Sequence, residues 1–160
     1  MSWGIFTKTK PTIRLINISF KEATRQDIDE ILTIEQSVFA TPWSRQKLLD
    51  SFSNPNTHVQ LIMHNEQIAG YLITLNSIDF LDILTLAIAP QMQRQGLGKK
   101  LLDDLLQRLE PHNTHAILLE VRISNVSAIN FYQKYGFELI DTREKYYSNL
   151  EDAKILRLLI

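Results

Sequence analysis

Several features are scarce or absent in this 160-residue sequence, and each absence excludes a class of function. There is no cysteine, which excludes disulfides, thiolate metal sites and cysteine nucleophiles, and which fits a reducing compartment. The formal net charge is −1, so no overall positive field would attract nucleic acid or an anionic membrane. No run approaches the ~20 apolar residues of a membrane span, and the N-terminus lacks a signal-peptide core. We therefore expect a cytoplasmic protein without a direct nucleic-acid or membrane partner.

Sequence motifs of three enzyme classes are missing as well. The segment Arg94-Gln95-Gly96-Leu97-Gly98-Lys99 lacks the glycine spacing and the terminal Ser/Thr of a P-loop. It is not a dinucleotide fingerprint either, because Leu101 stands where a third glycine is needed. No serine lies in a G-x-S-x-G nucleophile elbow. His112 and His115 lie in a connecting loop without a third ligand at helical spacing, so we predict no metal site.

The sequence that remains has the composition of one globular domain, with 44% hydrophobic and 22% charged residues. We predict an N-terminal extension at residues 1–12 and a single domain over residues 13–160. Hydrophobic periodicity predicts the order strand, two helices, three strands, helix, strand, helix, two strands. Strands joined through a helix are expected to be parallel neighbours, and hairpin strands antiparallel. The predicted fold class is α/β, a mixed central sheet of about seven strands with helices on both faces.

Capping residues predict where the helices begin. Thr24 with Asp27 three residues later forms a capping box for the first helix. Thr41-Pro42 is expected to start the second helix, with proline at its first position. Either Asn125 or Ser127 is expected to cap the last helix.

The glycine segment at residues 94–99 is the first candidate functional element. It lies between a predicted buried strand and a strongly amphipathic helix. Gly96 and Gly98 would let the backbone approach a ligand closely, and the N–H groups at a helix start suit phosphate oxygens. The alternative is a glycine turn that only starts the helix, and the segment alone does not decide between the two.

Glu120 is a candidate proton acceptor. It lies inside the apolar segment 117–121, where a carboxylate is costly unless it faces water or has a partner. In a cleft, desolvation would make it a better base. The alternative is a strand-end salt bridge, for instance to Arg122.

Tyr132 is a candidate proton donor. A phenol that points into a cleft can protonate a departing thiolate. Phe131, Tyr132 and Tyr135 are also plausible core aromatics of the same helix, and periodicity does not choose among them.

A set of motifs spread from about Ile18 to Ile160 carries a resemblance to a known family. The motifs are Pro42-Trp43-Ser44, Leu86-Ala87-Ile88-Ala89-Pro90, Gln93-Arg94-Gln95-Gly96-Leu97-Gly98, Leu119-Glu120-Val121-Arg122, Ser124-Asn125, Phe131-Tyr132, Gly136-Phe137, Tyr146-Tyr147 and Glu151-Asp152-Ala153. Together they resemble the GNAT acetyltransferases, and within that family the bacterial ribosomal-protein-alanine N-acetyltransferases. The glycine segment indicates only the superfamily, whereas E-V-R-x-S-N followed by paired tyrosines is more specific.

The resemblance implies a reaction and a set of residues for it. The reaction is acetyl transfer from acetyl-CoA to a protein N-terminus, the N-terminal alanine of small-subunit ribosomal protein eighteen, with no metal. The implied cofactor residues are Leu86, Ala87 and Ile88 for the pantetheine arm, Arg94, Gln95, Gly96, Leu97, Gly98 and Lys99 for the pyrophosphate, and Asn125 where two parallel strands splay apart. The implied proton acceptor is Glu120 and the implied donor Tyr132, while Trp43, Tyr146 and Tyr147 would form the walls of the peptide groove.

Two alternatives to this function stay open at this point. A GNAT enzyme for a small amine would share the cofactor residues and differ in the groove. A non-catalytic acyl-CoA-binding module would bind CoA without turnover. Because no acyl-carrying nucleophile stands out, an enzyme would work by direct transfer in a ternary complex.

Overall fold

The computed structural model describes residues 16–109 and 114–160. Its strands are β1 (Ile18–Glu22), β2 (Thr57–His64), β3 (Gln67–Asn76), β4 (Phe80–Ile88), β5 (Ala116–Arg122), β6 (Glu138–Arg143) and β7 (Ala153–Leu159). Its helices are α1 (Ile28–Val38), α2 (Arg45–Ser53), α3 (Leu97–Arg108) and α4 (Val126–Tyr135). The predicted extension at residues 1–12 and the start of the domain at residue 13 lie outside the described residues. That boundary remains a prediction.

All seven strands form one sheet in the order β1-β2-β3-β4-β5-β7-β6. Side chains of β3 alternate between two cores, which shows that helices cover both faces. Tyr71 packs in one core with Ile31 of α1 and Leu48 of α2. Its neighbour Leu72 packs in the other core with Leu101 of α3. The predicted fold class, a mixed sheet between two helical layers, is confirmed.

Two of the predicted helix starts are confirmed. Thr24 and Asp27 form a complete capping box on a short 3₁₀ turn that leads into α1. Asn125, rather than Ser127, caps α4, and its Oδ1 accepts a hydrogen bond from the Ala128 N–H at 3.1 Å. Each cap satisfies an N–H group that the helix itself leaves without a partner.

The predicted start of α2 at Thr41-Pro42 is wrong. Ser44 is the N-cap, and its hydroxyl accepts a hydrogen bond from the Lys47 N–H at 3.2 Å. The reason lies in the residue before it, because the Trp43 N–H donates to the Glu35 carboxylate at 2.7 Å. Residues 42 and 43 therefore stay outside the helix, and the segment between α1 and α2 is longer than predicted.

The prediction that strands joined through a helix are parallel neighbours holds for β4 and β5. It is wrong for β1 and β2, which are neighbours but antiparallel, and for β5 and β6, which are not neighbours. β7 lies between β5 and β6 and pairs antiparallel with both. The physical reason is burial: β6 is exposed along its whole length, whereas β7 buries Ala153 and Leu156. The more apolar strand therefore takes the inner position.

The parallel pairing of β4 with β5 is short. It runs from Phe80 opposite Ala116 to Ile83 opposite Leu119, and stops there. In β4 the next residue, Leu84, has no partner in β3 and forms a bulge. Beyond the bulge, residues 85–88 pair only with β3, so no strand of the described residues lies beside their other main-chain edge. The two strands splay apart, as predicted.

At Gly70 of β3 the neighbouring strand β4 leaves no room for a side chain. A Cβ added there would lie 2.5 Å from the Ala87 carbonyl oxygen and 2.5 Å from Ile88 Cδ1. We expect Gly70→Ala to lower the free energy of unfolding by about 1–3 kcal/mol, because overpacking displaces backbone. Gly98→Ala is the control: its Cβ would meet Phe131 at 3.5 Å, an ordinary contact. In a helix that change should raise stability by up to about 1 kcal/mol. Urea denaturation of both variants checks this, and equal effects would contradict it.

Candidate active site

Two cavities lie along β4 and β5 and share part of their linings. The first, called here the splay cavity, measures about 460 Å³ and is lined by Leu84, Leu86, Asn125 and Tyr132 among others. The second, called the groove, measures about 740 Å³ and lies against α2 and the β6–β7 turn. Residues common to both linings are Trp43, Ile83, Leu84, Glu120 and Tyr147. A ligand in each cavity would therefore meet the other beside Glu120.

Glu120 faces this junction because its neighbours on β5, Leu119 and Val121, point into the core. Its side chain is 30% exposed and ion-paired with the Arg143 guanidinium of β6. The alternative considered for Glu120, a salt bridge, is therefore present, but its partner is Arg143 and not Arg122. The carboxylate lines both cavities as well, so the pairing leaves it at the junction.

Arg143 serves more than one acidic neighbour. Burial raises the pKa of Asp82, with a further contribution from Glu120, while Arg143 acts in the opposite direction. The interaction with the Glu120 carboxylate is the main cause that raises the pKa of Tyr146. Arg143 thus lies among acidic side chains along the groove. Asp82 and Arg143 were not predicted, and no spacing pattern in the sequence singles them out.

Tyr132 is the tyrosine of α4 that lines the splay cavity. Its ring is 7% exposed and packs edge-on against Phe131 at 5.1 Å and Phe137 at 5.3 Å. Burial raises its pKa, so the phenol keeps its proton at neutral pH. Tyr135 instead donates its hydroxyl to Asp103 of α3 at 2.7 Å. The structure therefore separates the two tyrosines that periodicity could not.

The glycine segment lies at the start of α3. Gly96 is its N-cap in the left-handed conformation, with φ of 76°, and a Cβ there would meet nothing within 4 Å. Arg94 also has a positive φ, of 63°. The Lys99 ammonium, one of the predicted pyrophosphate ligands, pairs with Asp103 at 2.8 Å. Gly96 provides no capping side chain, so the first N–H groups of this 12-residue helix have no side-chain cap.

The three predicted cofactor residues on β4, Leu86, Ala87 and Ile88, differ in which of their groups a ligand could contact. The Leu86 side chain lines the splay cavity. Ala87 and Ile88 bury their side chains in the two cores, so only their main chain is available to a ligand. The Ile88 carbonyl accepts a hydrogen bond from Gln93 Nε2 at 2.9 Å.

Arg122 connects β5 with two other segments that line the cavities. Its guanidinium donates to Thr41 in the α1–α2 segment at 2.8 Å and to Asn149 at 3.1 Å. It pairs with Glu151 at 3.0 Å and lies 3.7 Å from the centre of the Tyr147 ring. The wall that contains Tyr147 is therefore held to β5 by a charged side chain.

Glu35 is a buried carboxylate that the sequence reading did not select. It is 1% exposed, lines the splay cavity, and accepts hydrogen bonds from the Trp43 N–H and the Tyr71 hydroxyl. A signal existed, because Glu35 stands at helical spacing from the apolar residues Ile28 and Ile31. A carboxylate on a buried helix face requires partners.

Two classes of feature are absent from the part of the chain that the structure describes. Within residues 16–109 and 114–160, no three His, Cys, Asp or Glu side chains converge as metal ligands. Across the same residues, no helix is both long enough and apolar enough to cross a membrane.

Comparison with known proteins adds to this geometry. Residues 21–151 match a family model described as acetyltransferase (GNAT) domain. The [ribosomal protein bS18]-alanine N-acetyltransferase of Escherichia coli strain K12 is 36% identical over 144 residues, which cover 88% of this chain and 95% of that protein. A crystal structure of the ribosomal-protein-S18-alanine N-acetyltransferase from E. coli superposes with a TM-score of 0.82 at 31% identity, over 90% of this chain and 94% of that one. The structure of Ard1 from Thermoplasma volcanium gives a TM-score of 0.83 at 25% identity, over 89% and 97%.

Proposed function

Because this chain belongs to the GNAT acetyltransferase family, we propose that it acetylates the N-terminal α-amine of a protein, with acetyl-CoA as donor. The family resemblance and the enzyme class expected from the motifs are confirmed. The proposed substrate is the N-terminal alanine of small-subunit ribosomal protein eighteen, after the name of the E. coli relative. That substrate places the reaction in the cytoplasm. The observation that carries the proposal is the meeting of two cavities at Glu120, one for each reactant.

The residues around the splay cavity fit acetyl-CoA. Among the residues that the structure describes, no strand lies beside the edge of β4 beyond Ile83, so the main chain over Leu86, Ala87 and Ile88 can pair with the amides of a pantetheine arm. The open N-terminal turn of α3 at Gly96 suits a pyrophosphate. In this assignment Arg94, Gln95, Leu97, Gly98 and Lys99 contribute the rest of that site, and Asn125 lines the cavity from the start of α4.

The proposed chemistry uses two side chains and one main-chain group. Acetyl-CoA supplies the acetyl group as a thioester. Glu120 accepts a proton from the incoming amine, directly or through one water, as the new C–N bond forms and the C–S bond breaks. A main-chain N–H near Ile88 would stabilise negative charge on the carbonyl oxygen. Tyr132, buried and protonated, donates a proton to the leaving thiolate.

Protonation favours an α-amine as the acceptor. Its pKa is about 7.7–8.0, against about 10.4 for a lysine side chain. Neutralising a lysine side chain at pH 7 therefore costs roughly 3 kcal/mol more than neutralising an α-amine, at 1.36 kcal/mol per pKa unit. A single carboxylate that is already ion-paired with Arg143 is better suited to deprotonating an α-amine than a lysine side chain.

The groove supplies room and walls for a peptide. Trp43 and Tyr147 line both cavities, and Tyr146 lines the groove beside Glu120. Aromatic walls of this kind bind an extended chain through its apolar surface and its amides. They are more extensive than a small amine needs, which favours a protein substrate over the alternative of a polyamine or amino sugar.

A pair of peptides tests the proposal. Both carry the alanine-starting N-terminus of the ribosomal protein with its basic side chains, and one has a blocked α-amine. We expect acetyl-CoA to acetylate the free-amine peptide alone, with CoA release and peptide mass measured together. If neither peptide reacts while acetyl-CoA still binds, the protein substrate is wrong, and a panel of small amines becomes the next measurement. If the protein acetylates neither a peptide nor any small amine, it is a non-catalytic acyl-CoA-binding module.

A further inference from the structure

The Glu35 carboxylate occupies a position that packing alone does not explain. It is 1% exposed, on the face of α1 that packs against the sheet, where an apolar side chain would cost less to bury. Within the described residues, no lysine or arginine lies within salt-bridge distance of it. Its hydrogen bonds instead go to the Trp43 N–H at 2.7 Å and to the Tyr71 hydroxyl.

These two hydrogen bonds join the two sides of the active site. Trp43 belongs to the segment between α1 and α2 that forms one wall of the groove. Tyr71 belongs to β3, where it lies directly opposite Ala87 of β4. One carboxylate therefore connects the wall on the acceptor side with the strand assigned to the donor.

We propose that Glu35 is a positioning residue, which fixes the distance between the Trp43 wall and β4 so that the substrate amine reaches the acetyl group. This inference rests on the proposed function, since it assigns a wall for a peptide. It predicts that loss of Glu35 affects the acceptor far more than the donor, because the pantetheine edge of β4 is held by β3 independently.

The same contacts explain the late start of α2. The Trp43 N–H would be the first N–H of a helix that began at Pro42, because proline has none, yet it donates to Glu35. The segment therefore leaves α1, turns at the carboxylate and enters α2 at Ser44. Without Glu35 the Trp43 N–H has no partner in the described structure, and the segment is free to shift.

Four variants test the proposal on the full chain. Glu35→Leu keeps the volume and removes both hydrogen bonds, whereas Glu35→Gln keeps an acceptor for the Trp43 N–H. Tyr71→Phe removes one of the two bonds and leaves the ring. Ile34→Val is the matched control, because Ile34 is a buried neighbour on the same helix and is not among the residues that line the two cavities. The measurements are acetyl-CoA affinity by calorimetry, peptide kcat and KM, and acrylamide quenching of Trp43 in a Trp3→Phe background, since the chain has two tryptophans.

We expect Glu35→Leu to bind acetyl-CoA as the wild type does, and to lose about tenfold or more in kcat/KM for the peptide. Trp43 should become more accessible to acrylamide. Glu35→Gln should restore kcat/KM to within about threefold of wild type, and Tyr71→Phe should fall between the two. Ile34→Val should leave both peptide kinetics and quenching unchanged.

Other outcomes overturn the proposal. Wild-type kinetics and quenching in Glu35→Leu would show that Glu35 only fills space, and an equal loss in Glu35→Gln would show that the hydrogen bond to Trp43 is irrelevant. A parallel loss of acetyl-CoA affinity would place the residue on the donor side. If Glu35→Leu does not fold, Tyr71→Phe decides on the same criteria. If the wild type acetylates no peptide, the proposed function has failed, and quenching of Trp43 still decides whether Glu35 positions the wall.

Discussion

Replacement of Glu120 by glutamine is expected to lower turnover about 10²–10⁴-fold, the usual contribution of a positioned acid or base. The amide keeps the size of the side chain and can still contact Arg143, but it cannot accept a proton from the amine. Acetyl-CoA affinity should stay nearly intact, because the proposed donor contacts come from β4 and α3. Single-turnover kinetics and calorimetry on the same preparation separate the two quantities.

Glu138→Gln provides the matched control for this experiment. Glu138 is an exposed glutamate of β6, and the same atoms change there without reaching either cavity. It should behave as the wild type in both measurements. Unchanged turnover in Glu120→Gln would show that Glu120 serves structure, through its ion pair with Arg143.

Removal of the Tyr132 hydroxyl by Tyr132→Phe is the second large expected effect. We expect turnover to fall about 10²-fold, because the leaving thiolate loses its proton donor. The protein should stay folded, since phenylalanine preserves the edge-on contacts with Phe131 and Phe137. A pH–rate profile and a thermal denaturation curve measure the two effects.

For Tyr135→Phe on the same helix we expect the opposite result, a loss of stability without a loss of turnover. It removes the hydrogen bond to Asp103, so stability should fall by about 0.5–1.5 kcal/mol while turnover stays close to wild type. If Tyr132→Phe unfolds the protein, Tyr132 is a core residue. If it leaves the rate unchanged, the thiolate takes its proton from solvent.

The parts of the fold that the sequence predicted are those fixed by local chemistry. The capping box at Thr24, the cap at Asn125 and the leucine face of α3 each depend on residues within one or two helical turns. The order of the last two strands depends on non-local pairing. Nothing within β6 or β7 alone states that β7 enters between β5 and β6.

The same distinction applies to the candidate site. Glu120 stood out because a carboxylate interrupts an apolar strand, and family resemblance supplied Tyr132. Arg143 reaches Glu120 across 23 residues and Glu35 reaches Tyr71 across 36, so neither contact has a local pattern. Glu35 did carry a partial signal, because it lies on the apolar face of α1. That pattern predicts that Glu35 is buried, but it does not predict its hydrogen-bond partners.

The inner position of β7 determines the order in which a newly made chain can become active. β1 to β4 form a continuous antiparallel meander with α1 and α2 against it, and they are synthesised first. β5 is bound to β6 only through β7, so Glu120 cannot meet Arg143 until residues 153–159 have been made. We expect the early half to bury its own core first, and the half that contains Glu120 to wait for the last strand of the sheet. Activity is therefore expected only after most of the chain has folded.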